Sequence, residues 1–116
     1  MGRNEYYFAE GCFITELLNN ADDPAVSVAS ARVEPGRTTR WHRLENIVER
    51  YLMVEGIGQV EIGTEEPREV HPGDAILITA GCRQRITNTG TIDLVFLAVC
   101  TPRFVVSAYQ DLEEER

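Results

Sequence analysis

The sequence predicts an all-β protein, built as a sandwich or a barrel. Short strand-like runs alternate with turn signals along most of the 116-residue chain, which is the pattern of such folds. No stretch of useful length has helical periodicity, and residues 106–115 are compatible only with a short terminal turn. A second domain would leave both cores too small in a chain of this length. We therefore predict a single domain over residues 1–116.

The predicted strands are separated by segments rich in glycine, proline, asparagine and aspartate, which favour turns. In chain order, the strands are predicted over residues 13–18, 26–33, 39–44, 48–54, 58–62, 75–79, 83–88 and 94–100. The last of them is apolar on both faces, and a strand of that kind is usually covered on both sides. This indicates that one sheet packs on another, or that a partner subunit covers it.

Composition and charge narrow the class of protein. No apolar run approaches the roughly 20 residues of a membrane span, and no secretory signal is visible at the amino terminus. The net charge of −8 argues against a nucleic-acid partner, because phosphate binding depends on clustered lysine and arginine. The three cysteines have no zinc spacing and leave an odd thiol, which indicates a reducing cytoplasm.

Two motifs carry most of the information on function. The first begins at Gly36 and ends at Gly56, and it places His42, Leu44 and Glu49 between these glycines. The second runs from the Pro-Gly-Asp turn at residues 72–74 to Asn88, and it contains Gln84.

Together these motifs resemble the two conserved motifs of the cupin superfamily, with the resemblance covering residues 26–102. It implies a double-stranded β-helix, or jelly-roll, barrel. In the family pattern the positions of His42, Leu44, Glu49 and Gln84 carry three histidines and one glutamate that bind a metal ion. His42 and Glu49 match this pattern, whereas Leu44 and Gln84 depart from it. A glutamine ligand does occur in cupin relatives such as phosphomannose isomerases.

The resemblance implies a reduced metal site made of His42, Glu49 and Gln84. Such a set would leave open positions on a divalent cation, as a catalytic metal requires. Imidazole with oxygen donors suits zinc, manganese, iron or nickel. The alternative is that His42 and Glu49 pair with each other, or with Arg40, and need no ion.

Alternation along the strands predicts the substrate pocket. Side chains two or four positions from a predicted ligand face the same side of a strand. The residues that this places beside His42, Glu49 and Gln84 are Arg40, Leu44, Tyr51, Met53 and Ile86.

Arginines flank both motifs, and they lead to two interpretations. They are Arg37, Arg40, Arg43, Arg50, Arg83 and Arg85. In one interpretation they pair with surface carboxylates; in the other, one or two of them hold an anionic ligand.

We therefore expect a small-molecule-binding cupin with a degenerate divalent-metal site, whose ligand is an anion or a sugar. A metal-dependent enzyme of isomerase, dioxygenase or decarboxylase type is one form of this hypothesis. The alternative is a non-enzymatic, metal-free ligand-binding cupin. A purely structural domain is least favoured, because a polar cluster inside a barrel costs stability unless it is used or paired.

We also expect a homodimer. The doubly apolar strand at residues 94–100 and the outward-facing Trp41 offer more apolar surface than a barrel of this size covers alone.

Overall fold

The computed structural model describes residues 4–113, which form strands and one short 3₁₀ turn. The strands are β1 (Glu5–Phe8), β2 (Cys12–Leu18), β3 (Ser27–Val33), β4 (His42–Leu44), β5 (Val48–Glu55), β6 (Gly58–Ile62), β7 (Arg68–Val70), β8 (Ala75–Ile78), β9 (Gln84–Asn88), β10 (Leu94–Thr101) and β11 (Tyr109–Asp111). The 3₁₀ turn covers Val106–Ala108, directly before β11.

These strands form two antiparallel sheets. The six-stranded sheet has the order β1-β2-β3-β10-β5-β8, and the five-stranded sheet has the order β11-β4-β9-β6-β7. Strands that are distant in sequence are neighbours in each sheet, as in a double-stranded β-helix. The predicted all-β jelly-roll fold is therefore confirmed.

The space between the sheets is filled by alternating side chains from both of them. In β5, Tyr51 and Met53 are buried while Leu52 and Val54 face outward. The Tyr51 ring packs on Phe96 of β10 with a centroid separation of 4.4 Å. A smaller apolar cluster lies at one end of the barrel and contains Leu44, Ile47, Cys100 and Ala108. This end of the barrel holds the candidate site.

The glycine that closes the first motif is required by the local backbone. Gly56 has φ of +86°, a conformation that L side chains rarely adopt. A Cβ atom at this position would also lie 2.6 Å from the carbonyl oxygen of Asp93. The turn between β5 and β6 can therefore pack against the start of β10 only with glycine here.

Three observed strands are missing from the sequence prediction, and one predicted strand is shorter than expected. β1, β7 and β11 were not predicted, because each has only three or four residues and too short a pattern. The predicted strand at 39–44 is reduced to β4. The Arg40 amide donates to the Glu10 carbonyl over 2.8 Å and therefore takes no part in the hydrogen bonding between strands. The predicted terminal turn at 106–115 is a 3₁₀ turn followed by a strand, and its last two residues lie outside the described part.

No helix in the described residues has the length and apolarity to cross a membrane. The assignment of residues 1–116 to one domain stays a prediction.

Candidate functional site

A cavity opens at the end of the barrel where β1, β4, β10 and β11 approach one another. Its volume is about 60 Å³, and the empty space that also takes in the open solvent at its mouth is about 510 Å³. Its titratable residues are Glu10, Glu16, His42, Glu49, Cys100 and two tyrosines. Its aromatic walls are formed by Tyr6, Phe8, Phe104 and Tyr109. Small side chains from β3 and β10, including Ala29 and Ala98, leave the space open.

His42 is fixed at the deep end of this cavity. Its Nδ1 lies 2.7 Å from the Arg40 carbonyl oxygen, which can only accept, so Nδ1–H donates and Nε2 carries the lone pair. The Tyr109 ring stacks on the imidazole at a centroid distance of 5.1 Å. Burial lowers the pKa of His42, so the neutral ring is favoured. Nε2 is therefore a hydrogen-bond acceptor, and it faces the Glu10 carboxyl at 3.5 Å.

Glu10 was not among the residues predicted from the motifs. It lies in the tight turn between β1 and β2, and only 12% of its side chain is exposed. Burial raises its pKa to about 7. Tyr6, Phe8 and Glu10 all line the cavity, but alternation could not have identified Glu10, because β1 ends at Phe8 and the rule applies only within a strand.

Glu49 enters the cavity from β5, where its neighbours across the sheet are Ile78 and Cys100. Its Oε2 accepts a weak hydrogen bond from the Cys100 thiol at 3.9 Å. Burial, followed by the nearby charge of Glu10, raises its pKa to about 7, and His42 and Gln84 oppose this shift. The site thus holds two carboxyl groups, those of Glu10 and Glu49, whose raised pKa values lie near neutral pH.

Two buried polar side-chain atoms in the described part of the chain have no hydrogen-bond partner. They are Glu49 Oε1 and the Tyr109 hydroxyl, and both residues line this cavity. Buried polar atoms nearly always have a partner, so such an exception requires an explanation. A ligand in the cavity would provide one.

Gln84 is buried beside His42, its neighbour across the β4–β9 pair. Its Oε1 accepts a hydrogen bond of 2.5 Å from the Tyr51 hydroxyl. Both Gln84 and Tyr51 lie outside the cavity lining. Gln84 is therefore buried next to His42 without lining the cavity.

The other predicted pocket residues are dispersed. Leu44 lines the cavity together with His42 and Glu49. Met53 and Ile86 are buried in the main apolar core, away from the cavity. Arg40 does not line the cavity, although alternation predicted that it would, because β4 begins only at His42. Its Nε donates to Asp111 Oδ2 over 2.9 Å.

The arginines near the motifs do not reach the cavity, whose lining contains none. Arg85 pairs with Glu61 at 2.6 Å. The guanidinium groups of Arg83 and Arg85 lie 4.0 and 4.5 Å from the centroid of the Trp41 ring, on the outside of the five-stranded sheet. Pairing with surface carboxylates therefore describes Arg40 and Arg85, whereas Arg83 contacts Trp41 and donates to the Gly63 carbonyl.

The residues at the four motif positions do not fit the family's metal centre in this arrangement. Leu44 offers no donor atom, and Gln84 Oε1 is already engaged by Tyr51. Within residues 4–113, no three His, Cys, Asp or Glu side chains are placed to hold a metal ion.

Solved structures share this fold at low sequence identity. A double-stranded β-helix protein from Klebsiella pneumoniae superposes with a TM-score of 0.76 at 15% identity, covering 94% of this chain and 90% of its own. KdgF from Halomonas sp. has a TM-score of 0.76 at 18% identity, with coverage of 87% and 89%. A predicted oxalate decarboxylase from Thermotoga maritima has a TM-score of 0.75 at 24% identity, with coverage of 86% and 91%. No curated protein matches this sequence.

The family is established by sequence. A family model described as a cupin domain matches residues 29–100, which is more than half of the chain. Both motifs, from His42 and Glu49 to Gln84, lie within the matched range, and the two-sheet barrel is the fold of the similar structures. The chain therefore belongs to the cupin superfamily.

Proposed function

We propose that this cupin binds a small molecule in the barrel cavity, with Glu10, His42 and Glu49 as its polar recognition groups and without a metal ion. The observation that carries this proposal is the pair of unpartnered buried atoms, Glu49 Oε1 and the Tyr109 hydroxyl, which line the same cavity. Apolar walls with a few convergent polar groups are typical of small-molecule sites.

The charges of the lining bear on the kind of ligand. Glu10, Glu16 and Glu49 line the cavity, and no arginine lies among them. An anion would therefore meet like charges without a compensating cation, so the cavity favours a neutral or cationic ligand. The anionic ligand expected from the motif arginines is the less supported form of the hypothesis.

An enzymatic role is the second candidate. The two carboxyls have pKa values raised to about 7, and a neutral imidazole lies beside them. A general acid or base works best with a pKa near the operating pH. Proton transfer to or from a bound molecule is thus the chemistry that these side chains can supply.

Filling the cavity tests the proposal. Ala29 lines it from β3, whereas the next residue, Ser30, alternates to the other face of that strand. We expect Ala29→Leu to abolish the chemical-shift changes that a set of small neutral, cationic and anionic compounds causes near Glu49 and Tyr109. Ser30→Leu adds the same side chain outside the cavity and should leave the changes intact. Equal binding by both variants would place the ligand site elsewhere.

The metal predicted at His42, Glu49 and Gln84 is tested with the same protein. Titration with zinc, manganese, iron or nickel should produce no saturable change at these residues at micromolar metal. Stoichiometric binding that is lost in His42→Ala would overturn the metal-free form of the proposal and favour the metal-dependent one.

A further inference from the structure

The deep end of the cavity presents hydrogen-bond acceptors from three directions. His42 Nε2 carries a lone pair because Nδ1–H donates to the Arg40 carbonyl. Glu10 Oε1 lies 3.5 Å from that nitrogen. Glu49, with 8% exposure, contributes an Oε1 that has no partner in the described chain. A matching ligand group must therefore bring several donors and, when the carboxyls are ionised, a positive charge.

The walls above these acceptors suit an organic cation. The Phe8 ring contacts Tyr109 with a centroid distance of 5.0 Å and Phe104 at 6.5 Å, both edge to face. Aromatic faces attract cations, most strongly when the site is desolvated. Apolar rings also accommodate the hydrocarbon part of a ligand. Thus the cavity combines an acidic end with an aromatic wall.

We propose that the cavity binds a small primary ammonium ion, whose three N–H groups donate to Glu10, Glu49 and His42 Nε2 while its hydrocarbon part packs against Phe8, Phe104 and Tyr109. This inference rests on the proposed function and names its ligand class. An ammonium group has three donors and one positive charge, which matches three acceptors in a lining without arginine.

The test compares three probes of nearly identical shape: isobutylammonium, isobutanol and isobutyrate. Each is titrated into the full chain at neutral pH with a chelator present, so that a bridging metal cannot cause binding. We expect isobutylammonium to bind at least tenfold more tightly than isobutanol, and isobutyrate to bind more weakly than both. Equal affinity for the amine and the alcohol, or no amine binding, would overturn the inference.

Charge-removing variants locate the ammonium group. Glu49→Gln and Glu10→Gln keep the side-chain shape, and each should weaken isobutylammonium binding at least tenfold and by a larger factor than it weakens isobutanol binding. Glu65→Gln is the matched control, because it removes an exposed carboxylate that does not line the cavity, and it should weaken amine binding less than threefold. Equal effects of all three variants would indicate general electrostatic attraction and overturn the assignment.

The two proposals fail in different ways. If isobutanol binds wild type and not Ala29→Leu, but the amine has no advantage, only the ammonium inference fails. If the amine binds Ala29→Leu as tightly as wild type, the cavity is not the ligand site and the proposed function fails as well.

Discussion

The Tyr51 hydroxyl donates a hydrogen bond of 2.5 Å to Gln84 Oε1, and both side chains are buried. Gln84 occupies a position where the family pattern has a metal-binding histidine, yet here its oxygen is held by a tyrosine from the opposite sheet. The bond joins β5 of the six-stranded sheet to β9 of the five-stranded sheet. In this chain, the position therefore links the two sheets.

The first prediction follows from this bond. Tyr51→Phe removes the donor and leaves Gln84 Oε1 unsatisfied, so the free energy of unfolding should fall by about 1–3 kcal/mol. Urea unfolding measures the change. The control is Tyr7→Phe, which removes a hydroxyl from a side chain that is 59% exposed and should change stability by less than about 0.5 kcal/mol. Equal effects of the two variants would contradict a structural role for the buried bond.

The second prediction concerns pH. The pKa of Glu49 is raised from 4.5 to about 7 in the folded chain, so the unfolded chain releases this proton first as pH rises. The free energy of unfolding therefore falls between pH 4.5 and about 7 and stays lower above that range. Glu49→Gln has no charge to bury, so it should be more stable than wild type above neutral pH, by at most about 3 kcal/mol.

Urea unfolding at about pH 5 and about pH 8 measures this difference. The lowered pKa of His42 makes both proteins less stable as pH falls. Subtracting the wild-type free energy of unfolding from that of the variant at each pH reduces this shared contribution. Glu65→Gln removes an exposed carboxylate and serves as the control for net charge. A Glu49→Gln advantage that is the same at both pH values would contradict the raised pKa.

The sequence motifs predicted the barrel and the burial of His42, Glu49 and Gln84, because glycine spacing and alternation are local properties of the chain. They could not predict Glu10, which reaches His42 from a turn 32 residues earlier in the sequence. Its position depends on the Arg40 amide bonding to its carbonyl, a contact between distant segments.

Pocket residues were harder to predict than buried residues. Tyr51, Met53 and Ile86 do face inward, as alternation indicates, but they pack in the apolar core and not beside the cavity. Period two gives the face of a strand and not the position along the barrel. Arg40 also shows the limit of alternation, since the rule applies only where a residue lies within a regular strand.

The third prediction is that the chain forms a homodimer through the outer face of the six-stranded sheet. Trp41 is already covered by Arg83 and Arg85, so it supports an interface less than expected. Leu52 and Leu77 are 39% and 59% exposed on neighbouring strands β5 and β8. Leu77→Glu should convert a dimer to a monomer in light scattering at micromolar concentration.

The matched control for this interface is Val106→Glu, which changes a side chain that is 69% exposed in the 3₁₀ turn. It should leave the dimer intact. A monomeric wild type at tens of micromolar would contradict the dimer, and dissociation by Val106→Glu alone would place the interface near β11.

The fourth prediction concerns the two departures from the family's metal pattern. Leu44 lines the cavity with His42 and Glu49, and Gln84 pairs with His42 across β4 and β9. Leu44→His combined with Gln84→His should therefore restore two imidazole donors beside His42 and Glu49. Zinc or nickel affinity should rise at least tenfold over wild type, about 1.4 kcal/mol, when measured by calorimetric titration.

The double variant should lose stability without metal, because Leu44 is 4% exposed within an apolar cluster and an unpaired polar group there costs about 1–3 kcal/mol. Added zinc should then raise its unfolding midpoint, since a ligand that binds only the folded state stabilises it. Adding His42→Ala should remove most of the affinity gained if the donors converge on one ion. Unchanged metal affinity in a folded double variant would show that these four positions do not meet at a point.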